Sequence, residues 1–340
     1  MMTRFGLVRR SLLFHSRSNL AVVAGVATAV AVLAGALLVG ESVRASLRRL
    51  TLERLGRVES VVTSGTLFRE QLAGEIDSGA APMLVLEGMV SQQANGRRAA
   101  GVAVYGVDER FWRFQQVASP GLVNRDAVMS PALAAEIGAQ AGDTLLLRLE
   151  KPTDIPAESV FGRKQAAVPA VRFTAKSILA PAQMGEFALR PQQGEVKALF
   201  VPLAHLQKEL DAAGRVNTIV SAQVGLEAAL RRRFTLEDLG LRMRVFDDRG
   251  SGQLEAAAGV FSDKMAEAAT KAAGEAGLAA VTPLFTYMAT AMKANGRELP
   301  YSLVAALDPR AVGGAAGTGA EAIVFNDWAA QDLQDRKSVV

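Results

Sequence analysis

LAVVAGVATAVAVLAGALLV, residues 20–39, decides how this chain is built, because the run carries no charge and only one hydroxyl, Thr28. At about 1.5 Å per residue, a helix of this run reaches roughly 30 Å, the hydrocarbon thickness of a bilayer. It also satisfies its own backbone hydrogen bonds where no water can. The sequence therefore predicts a transmembrane helix over residues 20–40, with everything after it an attached domain. Two other readings compete. In a cleaved signal peptide, Arg4, Arg9, Arg10 and Arg17 would form the charged leader and Ala34-Gly35-Ala36 the cut site. The run is longer than the ~7 to 15 residues usual for a signal core, and Leu37, Leu38 and Val39 continue it past that cut. A buried helix of a soluble core is the second, and a run apolar on every face is rare outside membranes.

Arginines flank the run on both sides. Arg4, Arg9, Arg10 and Arg17 precede it, and Arg44, Arg48, Arg49 and Arg54 follow it closely, so the local bias that sets orientation is nearly balanced. These arginines hold much of the excess behind the net charge of +4, where they suit anionic headgroups. In the remainder of the chain only Arg231-Arg232-Arg233 forms a basic run, read as a solvated helix face, which makes nucleic acid a poor partner. Charged residues at 21% and aromatic residues at 6% are those of an ordinary folded protein, and some 300 residues can build one large or two medium cores. The absence of cysteine removes disulfides, thiolate chemistry and cysteine metal sites, and leaves the compartment open.

Beyond the span, Val43, Leu47, Leu50, Leu55 and Val58 fall near helical spacing, predicting a stalk over residues 41–59. Its apolar stripe wants either a partner helix or the chain's own domain. From residue 60 the pattern becomes mixed, and the expected class is α+β. VESVVTSG reads as a strand and SGTLFREQLAGEI (64–76) as a helix, followed by two strands joined at Asn95-Gly96, a hairpin signal because both residues tolerate positive φ. Ser130 then caps a helix with Pro131 at its first position, before a Gly142-Asp143 turn and a strand. Residues Lys151 to Pro169 read as a loop, VRFTAKSIL as a strand, and LAHLQKELDAAG and residues 252–277 as helices.

The chain also repeats itself. ANGRRAAGVAVYGVD (94–108) aligns without gaps on ANGRELPYSLVAALD (294–308), and VMSPALAAEI (128–137) corresponds to VFNDWAAQDL (324–333), with Ser130 opposite Asn326. Two matches in the same order suggest a duplication, with copies at 60–205 and 206–335 inside a core domain of 60–335. After Leu333 the second copy lacks the strand that follows the first helix. The closing DRKSVV resembles a translated sequencing adaptor, so residues 336–340 are expected to be a non-native tail on a chain that naturally continues. Only Gly313 to Gly319 reads as disordered.

No catalytic pattern is present. There is no G-x-S-x-G, no H-E-x-x-H and no G-x-x-x-x-G-K-[ST], and the two histidines, His15 and His205, are far apart. Asp247-Asp248 and Glu237-Asp238 read as solvated loop charge, since neighbouring acids point different ways in regular structure. Phe111, Trp112 and Phe114 read as aromatic anchors of the core, and an apolar ligand grip is the other use of such a cluster. No catalytic, cofactor-binding or metal-binding residue is assigned.

The segment RRSLLFHSRSNLAVVAGVATAVAVLAGALLVGESVRASL, with GVDERFW and LAAEIGAQAGDTLLLRL downstream, resembles the FtsX-like permeases of ABC transporters: a first span and a MacB-like periplasmic core domain. The resemblance covers the chain to about Leu333, on diffuse strings of small and apolar residues. It implies a bacterial inner-membrane subunit with residues 1–19 in the cytoplasm, Arg9, Arg10 and Arg17 facing a partner ATPase, and the main domain in the periplasm. It further implies a second permease subunit, additional spans, a possible periplasmic protein partner, and stalks that move on ATP hydrolysis. A duplicated ectodomain departs from the simplest family pattern. The expected function is thus a non-catalytic permease subunit; a single-span anchored sensor or binding protein is the alternative, and a secreted enzyme released near Leu37 a third.

Overall fold

The structure is a computed structural model that describes residues 4–149, 170–257, 259–278, 281–294, 296–308 and 323–333. The expected loop at 151–169, the glycine-rich 313–319 and the terminal QDRKSVV lie outside these residues. The chain begins with α1 (Arg4–Phe14) and α2 (Ser16–Leu55), which meet at His15. α2 is one helix of 40 residues, about 60 Å long at 1.5 Å per residue. Every side chain from Leu20 to Val39 is exposed, and the hydroxyl of Thr28 donates to the Ala24 carbonyl at 2.8 Å, so the apolar run presents no unmet polar group. A buried core helix is thereby ruled out for this run.

The chain forms two compact units, residues 1–243, which include α1 and α2, and residues 244–340. In the first unit, β1 (Ser60–Arg69), β2 (Ala81–Gln92), β3 (Arg98–Val107), β4 (Asp126–Met129), β5 (Thr144–Leu149), β6 (Val171–Ile178), β7 (Ala198–Pro202) and β8 (Arg215–Ser221) make one sheet in the order β1-β8-β2-β3-β7-β4-β6-β5. β5 also pairs with β2, from Gly88↔Leu149 to Gln92↔Leu145, which closes β2-β3-β7-β4-β6-β5 into a barrel. The twelve residues of β2 serve two neighbours along one edge, β8 at Ala81–Met83 and β5 at Gly88–Gln92. Where β8 leaves, the Asn217 carboxamide takes over both backbone groups of Val85, at 2.8 Å each. Alternation sorts the side chains into two cores. Val102, Val104, Leu145, Leu147, Phe173 and Leu199 fill one, with the short helices α3 (Leu72–Ile76), α5 (Pro131–Ile137) and α6 (Leu203–Glu209). Tyr105, Phe200 and Phe187 build the other, with α4 (Glu109–Gln115).

Two sequence expectations need correction. The helix expected over 64–76 is strand as far as Arg69, because Phe68 and Arg69 pair with Val216 and Arg215 of β8; only Leu72–Ile76 is helical. Sheet pairing here overrides a weak local preference in a Thr- and Gly-containing segment. The single helix expected over 252–277 is divided: β9 (Leu241–Phe246) pairs with β10 (Ser251–Ala256), and α8 (Asp263–Glu275) starts only where the Ser262 hydroxyl accepts from the Met265 amide. α7 (Glu227–Arg233) precedes them, its Arg231-Arg232-Arg233 exposed as expected.

The second unit carries the hairpin β11 (Phe285–Ala294) and β12 (Arg297–Ala306), then α9 (Asp327–Asp332). Tyr301 sits in β12 at φ 52°, a left-handed conformation costly for a side chain with a Cβ; Gly101 holds the equivalent place in β3 at φ 63°. Replacing Tyr301→Gly is expected to stabilise the second unit by about 1 kcal/mol, read by hydrogen exchange on β11 and β12.

Candidate functional site

The site that the fold builds is a joint between α2 and the sheet. It starts with the helix end. Gly56 closes α2 at φ 61° and ψ −120°, its amide donating to Leu52 at 3.1 Å. A side chain is excluded here twice, since a Cβ would also lie 2.3 Å from Gln115 Oε1. The buried Gln115 carboxamide brackets the turn: Oε1 accepts from the Arg57 amide at 3.0 Å and Nε2 donates to the Leu55 carbonyl at 3.3 Å. Arg57 Nη1 donates to the Phe114 carbonyl at 3.2 Å.

One turn earlier, Arg54 is buried and spends its guanidinium on the loop before β7. Nη1 donates to the Gln192 carbonyl at 2.7 Å and Nη2 to the Gly194 carbonyl at 3.0 Å, while Nε faces Glu186 Oε2 at 3.6 Å. The Arg54 carbonyl accepts from the Ala188 amide at 3.3 Å. Leu55 and Val58 enter the aromatic core beside Phe111, Trp112 and Phe114, and the Glu59 amide donates to Ser221 of β8 at 2.9 Å. α4 is itself fixed, since the Asp108 side chain caps it and Arg110 bridges Asp108 and Glu70. Helix, aromatic core and sheet are thus joined within six residues without a flexible linker.

The aromatic trio expected to anchor the core does so: Phe111, Trp112 and Phe114 are buried, and the rings of Phe111, Trp112, Phe187, Phe200 and Tyr105 meet edge-on or tilted at centroid distances of 5.1 to 6.3 Å. Burial pushes the Tyr105 hydroxyl up to about 12, against a hydrogen bond with the Leu189 backbone and the charge of Arg190. Folding thus favours the neutral phenol: its stabilisation is complete below the unfolded value near 10 and is lost as pH rises to 12. The first unit is expected to lose on the order of 3 kcal/mol across that window, and Tyr105→Phe to abolish this part of the loss in alkaline denaturation followed by tryptophan fluorescence.

Glu237-Asp238 is corrected in part. Asp238 is buried and takes the Arg69 guanidinium at 2.9 Å, the Arg69 amide at 3.0 Å and both the amide and hydroxyl of Thr235 at 3.0 and 2.9 Å. Asp247-Asp248 is exposed on a 3-10 turn, as expected. His15 lies between α1 and α2 and His205 is half-buried on α6, in separate places. Among the described residues, no group of three or more His, Asp or Glu is placed to hold a metal. The cleft beside Arg54, lined by Pro131, Glu186, Gly194 and Val196, measures about 210 Å³, below the ~300 Å³ at which small-molecule sites begin. Sequence reasoning missed Arg54, Gly56, Gln115 and Glu186; the glycine closing ERLG was the one local signal for the joint.

No family model and no curated protein matches this chain. Solved structures similar to it include two domains of transporters. The first is the periplasmic region of MacB from Actinobacillus actinomycetemcomitans, at 10% identity and a TM-score of 0.33, covering 64% of this chain and 97% of that one. The second is the extracellular domain of the noncanonic ABC-type transporter YknZ from Gram-positive bacteria, at 8% identity and a TM-score of 0.31, covering 57% and 97%.

Proposed function

We propose that this chain is a non-catalytic membrane subunit of an ABC transporter of the FtsX-like kind, passing the work of a partner ATPase to a domain outside the membrane. The observation that carries the reading is the joint. A helix long and apolar enough to cross a bilayer runs on as a stalk and ends in a sheet held by Arg54, Gly56 and Gln115. Such a rod delivers displacement and rotation to the domain where a flexible tether would dissipate them. In this reading residues 1–19 and α1 face the cytoplasm, residues 20–40 span the membrane, and the folded units are extracytoplasmic, the periplasm in a bacterium with two membranes.

The stalk supports a second subunit. Val43 and Leu47 are 53% and 37% exposed, so the stripe they begin is not covered by the chain's own domain, and a helix from another copy or span is the natural cover. The test is purification of the complete gene product from its own host's membranes in mild detergent. An ATPase that co-elutes, and whose turnover changes when this chain is removed, is the expected result. Elution with no ATPase would overturn the proposal in favour of an anchored sensor or binding protein.

A further inference from the structure

The outer face of the barrel carries an arginine cluster that the joint does not use, and the sheet register places it. Arg98 of β3 lies opposite Ser91 of β2, Ser91 opposite Leu146 of β5, and Leu146 opposite Arg172 of β6, in one row across four strands. Arg148, two residues along β5, lies opposite Met89 of β2. Alternation turns all of these outward, because Val90, Ala99, Leu147 and Phe173 beside them fill the core. Arg98, Arg148 and Arg172 are exposed, and Met89, Ser91 and Leu146 between them are half-buried.

No acid stands within this face; the next row of β5 and β6 is Thr144 opposite Thr174. None of the three arginines has a hydrogen-bond or ion-pair partner among the described residues. Neighbouring basic side chains do: Lys176 meets Asp126, Lys197 meets Glu136 and Arg190 meets Glu87. Diagonal neighbours such as Arg148 and Arg172 stand about 7 to 8 Å apart on adjacent strands, where like charges repel. A surface built for solubility alone intersperses the two signs. Arginine and methionine around a partly apolar centre are instead the composition of a protein interface, from which lysine and acids are depleted.

Spacing selects the occupant. Arg98 and Arg172 are three strand intervals apart, about 14 Å, so the cluster extends over more surface than a single phosphate covers. A chain bearing several carboxylates reaches all three, and the planar guanidinium pairs each carboxylate through two hydrogen bonds. We propose that the outer face of β3, β2, β5 and β6 at Arg98, Arg148 and Arg172 is the docking surface for an acidic segment of a partner protein, with three or more carboxylates on the arginines and apolar residues on Met89 and Leu146.

The test uses the full chain with Leu146→Cys, a unique thiol in a protein without cysteine. It is labelled with a benzophenone maleimide and photolysed in its own host's membranes together with that host's soluble fraction. The expected result is a protein adduct whose cross-linked peptide, sequenced by mass spectrometry, holds three or more Asp or Glu. Its yield should fall at least tenfold when Arg98, Arg148 and Arg172 are all changed to Gln, and should hold when Arg231, Arg232 and Arg233 are changed instead. The first triple variant should keep the urea midpoint of the parent, because it breaks no internal bond; a lowered midpoint would make the arginines structural and overturn the proposal. No adduct, an adduct on lipid or nucleic acid, one on a peptide without that acidity, or equal sensitivity to both triple variants would overturn it too. So would an adduct within the chain itself, at acids such as Glu150, Asp154 or Glu158.

Discussion

Replacing Asp238→Ala is expected to cost the first unit about 3 to 5 kcal/mol, the penalty for removing one partner of a buried ion pair. The size follows from what is stranded. Asp238 is 1% exposed and receives four donor groups, so truncation leaves the Arg69 and Thr235 amides without their acceptor and the guanidinium with Glu75 at 3.0 Å and the Arg233 carbonyl at 3.3 Å. Burial opposes the charge of this carboxyl, but the hydrogen bonds of Arg69 and Thr235 outweigh it and hold its pKa below the ordinary 3.8. The stabilisation is therefore complete above the ordinary value and is lost as pH falls through the lower, folded one. Urea unfolding at pH 7 reads the main effect. Asp238→Asn should lose less, because it still accepts, and should flatten the acid limb of the stability curve.

Replacing Gly56→Ala is expected to cost about 3 kcal/mol and to loosen the stalk. A residue with a Cβ pays about 1 to 3 kcal/mol for a backbone at φ 61° and ψ −120°. It also pushes Gln115 Oε1 from a position only 2.3 Å from the new atom, breaking bonds to Leu55 and Arg57 worth about 1 kcal/mol each. Because part of the cost runs through one side chain, Gly56→Ala and Gln115→Ala should be less than additive in thermal denaturation. Full additivity would mean that the carboxamide does not brace the turn. Gly101→Ala has a positive φ, and its Cβ would meet only Glu87 Oε1 at an ordinary 3.8 Å, so it should show the backbone part alone.

What could be read from residues alone was whatever is local. The apolar run, the Ser130 cap with Pro131 behind it, the turn at Asn95-Gly96 and the repeated Asn326 cap are each set by neighbours within a few positions, and all are found as expected. What escaped depends on distant partners. β1 continues to Arg69 because β8, some 150 residues later, supplies its ladder. Asp238 is buried because Arg69, 169 residues earlier, reaches it, and Arg54 is fixed by carbonyls 138 and 140 residues away. No spacing rule joins positions so far apart. Gly56, the stop of a long helix, was the one local signal of the joint and was passed over, and the side chain that braces it, Gln115, lies in α4.

The central claim, that the stalk is a paired and moving rod, is tested most directly by distance measurement. The chain has no cysteine, so Leu47→Cys gives a single spin-label site on the exposed stripe. In the purified membrane complex with its ATPase, pulsed electron–electron resonance should give a label-to-label distance between two subunits that shortens when ATP is trapped without hydrolysis. A complex with no intersubunit distance, or with one that nucleotide leaves unchanged, would contradict the account.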